Sequence, residues 1–128
     1  EETLREKLAA LGNDDVITFP TQKNPKQLCE VIAEFDVLIA YRMHAVIAAY
    51  SCGVPAVGLA WDRKLYSFMK SVGREQWFRD VTETTAQECV TLAMQTKEQG
   101  IPEAERLQVL SEARDGVQQL YDLLGKHL

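Results

Sequence analysis

The sequence predicts an α/β domain with a short parallel sheet covered by helices on both faces. Two uninterrupted apolar runs, Val37-Leu38-Ile39-Ala40 and Ala56-Val57-Gly58-Leu59-Ala60, have the character of strands buried on both sides. Each run is followed by a stretch of helical character, roughly ten residues long. Stop signals, Gly53-Val54-Pro55 and Gly73, then close each helix. Such alternation is the pattern of right-handed βαβ crossovers and a parallel sheet.

The elements follow in order. Leu4, Leu8 and Leu11 share a helical face that Gly12 closes, and Val16 to Phe19 reads as a first strand between Asn13-Asp14-Asp15 and Pro20. Asn24-Pro25 supplies an N-cap and a first-turn proline for a helix over Lys26 to Phe35, with Leu28, Val31, Ile32 and Phe35 on its apolar face. A strand over 37 to 40 and a helix over 43 to 52, apolar nearly all round, come next; Gly53 suits a left-handed cap and Pro55 prevents continuation. After the strand 56 to 60, Asp62 can cap a helix from Arg63 to Val72 whose Tyr66, Phe68 and Met69 read as core. Trp77-Phe78 with Val81 is expected as a short extra strand or a packed loop. Thr84 or Thr85 then caps a helix to about Gln99, with Glu88 placed for a capping box. Pro102 opens a long final helix to about residue 125 with a stripe of Leu107, Leu110, Val117, Leu120, Tyr121 and Leu124. Residues 1–128 are expected to form a single domain. Because the chain starts at Glu1 inside a helical pattern, it is expected to be the C-terminal piece of a longer protein with at least one strand upstream.

Composition narrows the function classes. With 128 residues the chain can bury roughly two thirds of its unfolded surface. Its 46% hydrophobic and 26% charged residues are those of a globular protein. A net charge of −5 without a basic, aromatic-bearing face argues against nucleic acid as a partner. Cys29, Cys52 and Cys89 are odd in number and widely spaced, so neither a disulfide framework nor a zinc site is indicated; reduced core thiols in a cytoplasmic protein are expected. No apolar run approaches about 18 residues, so no membrane span or signal peptide is expected.

The functional signal is Asp36-Val37-Leu38-Ile39-Ala40-Tyr41-Arg42-Met43-His44-Ala45. A buried strand ends where Arg42 and His44 open a helix, and in open α/β sheets ligands bind at such strand ends, beside helix N-termini that favour anions. Arg42 offers a charged fork for phosphate or carboxylate, and His44 a group able to donate a proton near neutral pH. A structural ion pair or a satisfied core histidine would account for either residue alone; the pair at this turn points to an acidic substrate. Parallel strands place their following turns on one edge, so Pro20 to Asn24, Tyr41 to Met43 and Ala60 to Asp62 are expected as neighbours. They add Thr21, Lys23 and Asn24, then Trp61, Asp62, Arg63 and Lys64. Asn24 and Asp62 are most simply helix caps, Lys23 a solvated lysine, and Trp61 a hydrophobic wall that beside a pocket could stack on a sugar ring. No paired-carboxylate spacing and no Gly-rich phosphate loop is present.

Taken in sequence, Asp36 with Arg42-Met43-His44-Ala45, Cys52-Gly53-Val54-Pro55, Trp61-Asp62-Arg63-Lys64 and Phe68-Met69-Lys70-Ser71-Val72-Gly73 resemble the C-terminal region of bacterial polysaccharide pyruvyl transferases over about residues 16 to 78. The resemblance implies a Rossmann-like three-layer sandwich, the C-terminal half of a GT-B-like enzyme. It implies transfer of pyruvate from phosphoenolpyruvate to a sugar as a ketal, in exopolysaccharide, capsule or cell-wall polymer assembly at the cytoplasmic face of the membrane. Arg42 and His44 fall on that family's donor-site Arg-x-His motif, with His44 as proton donor or as stabiliser of departing phosphate. Read from the turns at the sheet edge, Lys64, Asp62, Trp61, Thr21 and Asn24 complete the substrate-binding set; phosphoenolpyruvate is the implied donor substrate, no metal-ligand set is indicated, and the sequence is silent on metal dependence. The implied partners are a sugar or lipid-linked saccharide acceptor and an absent N-terminal domain, without which the piece is expected to be inactive. An alternative is the nucleotide-sugar half of a GT-B glycosyltransferase or sugar epimerase, although such a half usually places a glutamate where Ala60-Trp61-Asp62-Arg63 stands. A third is a non-catalytic module that self-associates through the terminal helix stripe.

Overall fold

The structure, a computed structural model, describes residues 6, 9, 10, 12, 17 and 19–127. Its elements are α1 (Pro25–Ile32), β1 (Leu38–Ala40), α2 (Met43–Ser51), β2 (Ala56–Ala60), α3 (Arg63–Ser71), a short 3-10 turn (Glu75–Trp77), β3 (Phe78–Asp80), α4 (Ala86–Gln99) and α5 (Glu103–His127). The fold is Rossmann-like α/β. Three strands pair in parallel in the order β1-β2-β3, with Leu38 opposite Ala56, Ala40 opposite Gly58, and Ala60 opposite Asp80.

The sheet is centred on β2. Successive residues of a strand face opposite sides, and Ala56, Val57, Gly58 and Ala60 are all buried, so both faces of β2 are covered. Leu65 and Met69 of α3, Val46 and Ala49 of α2, and Leu92 and Ala93 of α4 belong to the core around it. Gly58 marks the closest approach: a Cβ there would lie 2.5 Å from Met69 Sδ and 3.0 Å from Leu65 Cδ2. A larger residue there would have to move the Met69 and Leu65 side chains.

The helix ends follow the chemistry of their caps. Gly53 (φ 75°) donates to Tyr50 O at 3.0 Å and Val54 N to Ala49 O at 2.8 Å, which closes α2. Gly73 (φ 71°) repeats this on α3, donating to Lys70 O at 3.0 Å while Arg74 N donates to Met69 O at 2.7 Å. Both pairs of bonds form a Schellman motif, whose left-handed residue is almost free of cost only for glycine. Thr85, rather than Thr84, caps α4, and Glu88 closes the capping box.

Several expectations change in detail. Helix α1 ends at Ile32 rather than Phe35. The extra element at Trp77-Phe78 proves to be β3 over Phe78–Asp80, with Val81 beyond it. Of the strand expected over 16–19, Val16 and Thr18 lie outside the described residues, as does most of the helix before Gly12. Ile17 and Phe19 lie outside regular structure, and the Phe19 ring meets Phe35 edge-on with centroids 5.8 Å apart. The terminal stripe is not core: α5 is anchored near its start by Arg106, which donates to Ser51 O at 3.0 Å, while Val117 and Tyr121 are 68% and 72% exposed. Cys89 is buried, and Cys29 and Cys52 are half-buried; burial pushes the Cys52 and Cys89 thiols up.

Arg74 was not singled out in the sequence, yet it ties the turn after α3 to α4. Buried to 9% exposure, it donates through Nη2 to Thr96 Oγ1 at 3.0 Å and lies over the Trp77 ring at 5.9 Å. Its Nη1 points at Gly100 O, 3.4 Å away. Burial pulls the guanidinium pKa down, against the opposing fields of Tyr50 and Glu105. No carboxylate among the described residues forms an ion pair with it, so neutral oxygens and a π face hold this charge.

Candidate functional site

Parallel pairing sets the carboxyl ends of β1 and β2 side by side, and the turns leaving them form an open cleft of about 370 Å³. From the first turn come Tyr41, Arg42, Met43 and His44; from the second come Trp61, Asp62 and Lys64, with Ala60 and Leu65 as floor. Five residues singled out in the sequence, Arg42, His44, Trp61, Asp62 and Lys64, therefore meet in one place.

The two helices that begin at this cleft differ in a way that matters. The N-terminus of α3 is closed by Asp62, whose Oδ1 accepts from Lys64 N at 3.0 Å and from Leu65 N at 3.5 Å. That of α2 is open: Arg42 is its N-cap, with extended backbone (φ −89°, ψ 125°), no side-chain cap bond and no acidic residue in the first turn. Its first-turn N–H groups lack a side-chain acceptor, and the helix dipole adds partial positive charge at the same point. Arg42 is exposed and, among the described residues, has no ion pair; its guanidinium lies 5.9 Å from the centre of the Tyr41 ring. His44 is likewise exposed rather than part of the core. Two cations, Arg42 and Lys64, face one carboxylate, Asp62, so the cleft is locally positive on a chain whose net charge is −5.

Four of the residues named at the turns stand elsewhere. Thr21, Lys23, Asn24 and Arg63 do not line this cleft. Asn24 caps α1, accepting from Gln27 N at 2.9 Å, and Lys23 N donates to Gln27 Oε1 at 3.0 Å. Among the described residues the third turn at the sheet edge is the one after β3. There a wider groove of about 500 Å³ runs from Asp80 along α4, but two of its three carboxylates, Asp80 and Glu88, are engaged within the chain. Asp80 Oδ1 accepts from Thr82 N at 2.8 Å and Thr82 Oγ1 at 2.6 Å, and Glu88 accepts from Thr85 N at 2.8 Å. Tyr41 was overlooked in the sequence; its place next to Arg42 at a strand end was the available signal. Among the described residues no cluster of three or more His, Cys, Asp or Glu could hold a metal, and no helix is long and apolar enough to cross a membrane.

Residues 2–63, just under half of the chain, match the family model described as polysaccharide pyruvyl transferase. The match takes in Arg42, His44, the Gly53-Val54-Pro55 stop and Trp61-Asp62. Over that stretch the chain is similar to the polysaccharide pyruvyl transferase family. Lys64 and the segment Phe68 to Gly73 lie beyond the matched residues, so for them the resemblance rests on sequence pattern alone. No curated protein and no solved structure matches the chain. The matched stretch contains the first of the two turns that form the cleft, where cationic groups converge.

Proposed function

We propose that the cleft between the β1 and β2 turns holds phosphoenolpyruvate, and that this pyruvyl transferase domain is one half of a two-domain, GT-B-like enzyme acting in exopolysaccharide, capsule or cell-wall polymer assembly at the cytoplasmic face of the membrane. The observation that carries the reading is the open N-terminus of α2 in one cleft with Arg42, His44 and Lys64. A donor with a phosphate and a carboxylate needs two anion grips, and the first-turn N–H groups with the Arg42 fork provide them. In the reaction the methylene carbon of the enol gains a proton, and one sugar hydroxyl adds to the adjacent carbon. The second hydroxyl then displaces phosphate from that carbon to close the ketal. The two hydroxyl protons end on the new methyl group and on the phosphate. His44 serves either as acid toward the methylene carbon or as partner of the departing phosphate. The cleft is open to solvent, and its outer wall is assigned to a second domain, so the 128 residues alone should bind donor weakly and form no ketal.

An amide-NMR titration with phosphoenolpyruvate tests this. Saturable shifts at Arg42 to His44 and at Trp61 to Lys64 are expected, weakened at least about tenfold in Arg42→Ala, as befits loss of a charge-assisted bond pair. A UDP sugar is the control. Shifts produced by it and not by phosphoenolpyruvate would overturn the donor assignment in favour of a nucleotide-sugar site.

A further inference from the structure

We propose that Trp61, with Tyr41 on the neighbouring turn, is a stacking platform for a pyranose ring, so that this domain holds the acceptor sugar beside the anion site. The proposal rests on the pyruvyl-transfer reading for its choice of ligand class. Trp61 is 74% exposed and Tyr41 is 62% exposed, whereas Trp77, the other tryptophan, is 5% exposed and lies in the core. Single exposed apolar side chains are ordinary. These two differ in placement: they leave the carboxyl ends of adjacent, paired strands and line one cleft with Arg42, His44 and Lys64.

Neither ring has a structural task that explains it. The close aromatic pairs among the described residues are Phe19–Phe35, Tyr50–Phe68 and Tyr66–Phe78, and Trp61 belongs to none. Among the described residues Tyr41 enters no aromatic pair, and the guanidinium of its neighbour Arg42 lies 5.9 Å from its ring centre. A pyranose has an apolar C–H face and a rim of hydroxyls, and an amphipathic aromatic surface with polar groups beside it satisfies both. The rim partners are at hand. Asp62 accepts both cap bonds through Oδ1, which leaves Oδ2 without a partner among the described residues, and Lys64 follows two positions on. Sugar hydroxyls held there lie in the same cleft as the proposed donor, which the reaction requires.

Tryptophan fluorescence tests the proposal, because Trp61 and Trp77 are the two tryptophans and differ sharply in exposure. In Trp77→Phe the whole signal belongs to Trp61. At least one member of a panel of pyranose oligosaccharides should give a saturable blue shift and shield the indole from acrylamide. Trp61→Ala, monitored by saccharide shifts in amide NMR, should weaken binding about tenfold or more, and Trp61→Phe should restore most of it. Arg42→Ala should weaken phosphoenolpyruvate binding at least about tenfold and saccharide binding by less. An indole equally open to acrylamide with and without saccharide, whether or not phosphoenolpyruvate is present, would overturn the platform. So would a response to uridine in place of the saccharide, which would assign the rings to a nucleobase. Saccharide binding without any phosphoenolpyruvate binding would support the platform and defeat the donor reading, so the two fail separately.

Discussion

Replacing Thr96 by Val isolates the bond that holds the buried Arg74. Thr96 is fully buried on α4, and its Oγ1 accepts from Arg74 Nη2 at 3.0 Å. Valine keeps the volume and the branching at Cβ, so packing and χ1 preference are nearly conserved. What is lost is the acceptor, and the guanidinium remains. A hydrogen bond to a charged group is worth about 1.5–3 kcal/mol, and leaving its donor buried and unpaired costs about as much. The Gly100 carbonyl cannot make up the loss, since at 3.4 Å it lies outside the usual N–H···O range. Thr96→Val should therefore destabilise the domain by about 1.5–3 kcal/mol. For a chain of this size that corresponds to roughly 5–12 °C in Tm.

A double-mutant cycle with Arg74→Met, followed by urea denaturation, separates this bond from simple packing loss. Removing one partner strands the other, whereas removing both leaves an apolar contact between the turn after α3 and α4. The double variant should thus be less destabilised than the sum of the singles, by about 1–3 kcal/mol. Strict additivity would refute the reasoning. It would mean that water or another oxygen already satisfies Arg74.

Two further outcomes follow from the packing and the caps. Gly58→Ala puts a methyl group 2.5 Å from Met69 Sδ, and since Met69 and Leu65 are 2% and 1% exposed, relief requires repacking of the core; a loss of about 1–3 kcal/mol is expected by urea denaturation, and an unchanged midpoint would show that α3 yields freely. The hydrogen bond from Thr85 N holds the Glu88 carboxyl below its ordinary pKa of 4.5, so its contribution is present above that value and lost as pH falls through the lower folded value. Stability of Glu88→Gln should accordingly fall less steeply below about pH 4.5 than that of the parent, and equal slopes in acid denaturation profiles would contradict it.

The legible part of the fold was the part written in continuous apolar runs and in turn chemistry. β2 could be read because five residues in a row are nearly all buried, which leaves no alternation to confuse strand with surface. Gly53, Gly73, Asn24 and Asp62 could be read because their roles depend on local backbone geometry alone. β3 could be read only in part, because its three residues include Arg79 and Asp80 and owe their strand conformation to pairing with Gly58, Leu59 and Ala60. That is a tertiary effect with no local signal. Arg74 was hidden for a related reason: a single arginine after a helix stop looks solvated, and only the folded chain shows Thr96 waiting for it, 22 residues away.

The cleft was legible for a different cause, since its main features are backbone features. An anion site at the start of α2 needs a strand end, a helix start and an unused cap position, and all three can be recognised from Ala40-Tyr41-Arg42-Met43 without knowing any long-range contact. The contrast with Asp62 sharpens the point. At the neighbouring turn the chain supplies its own carboxylate to the helix N-terminus, while at Arg42 it supplies a cation where an acceptor would ordinarily stand. An arginine at an N-cap is locally unfavourable, because it adds positive charge to the positive end of the helix dipole and donates where acceptors are wanted. That unfavourable choice becomes favourable once an anion is bound. The sequence therefore departs from local rules just where the proposed ligand would compensate, and Arg42→Asp, which follows those rules, should stabilise α2 and abolish the response to phosphoenolpyruvate.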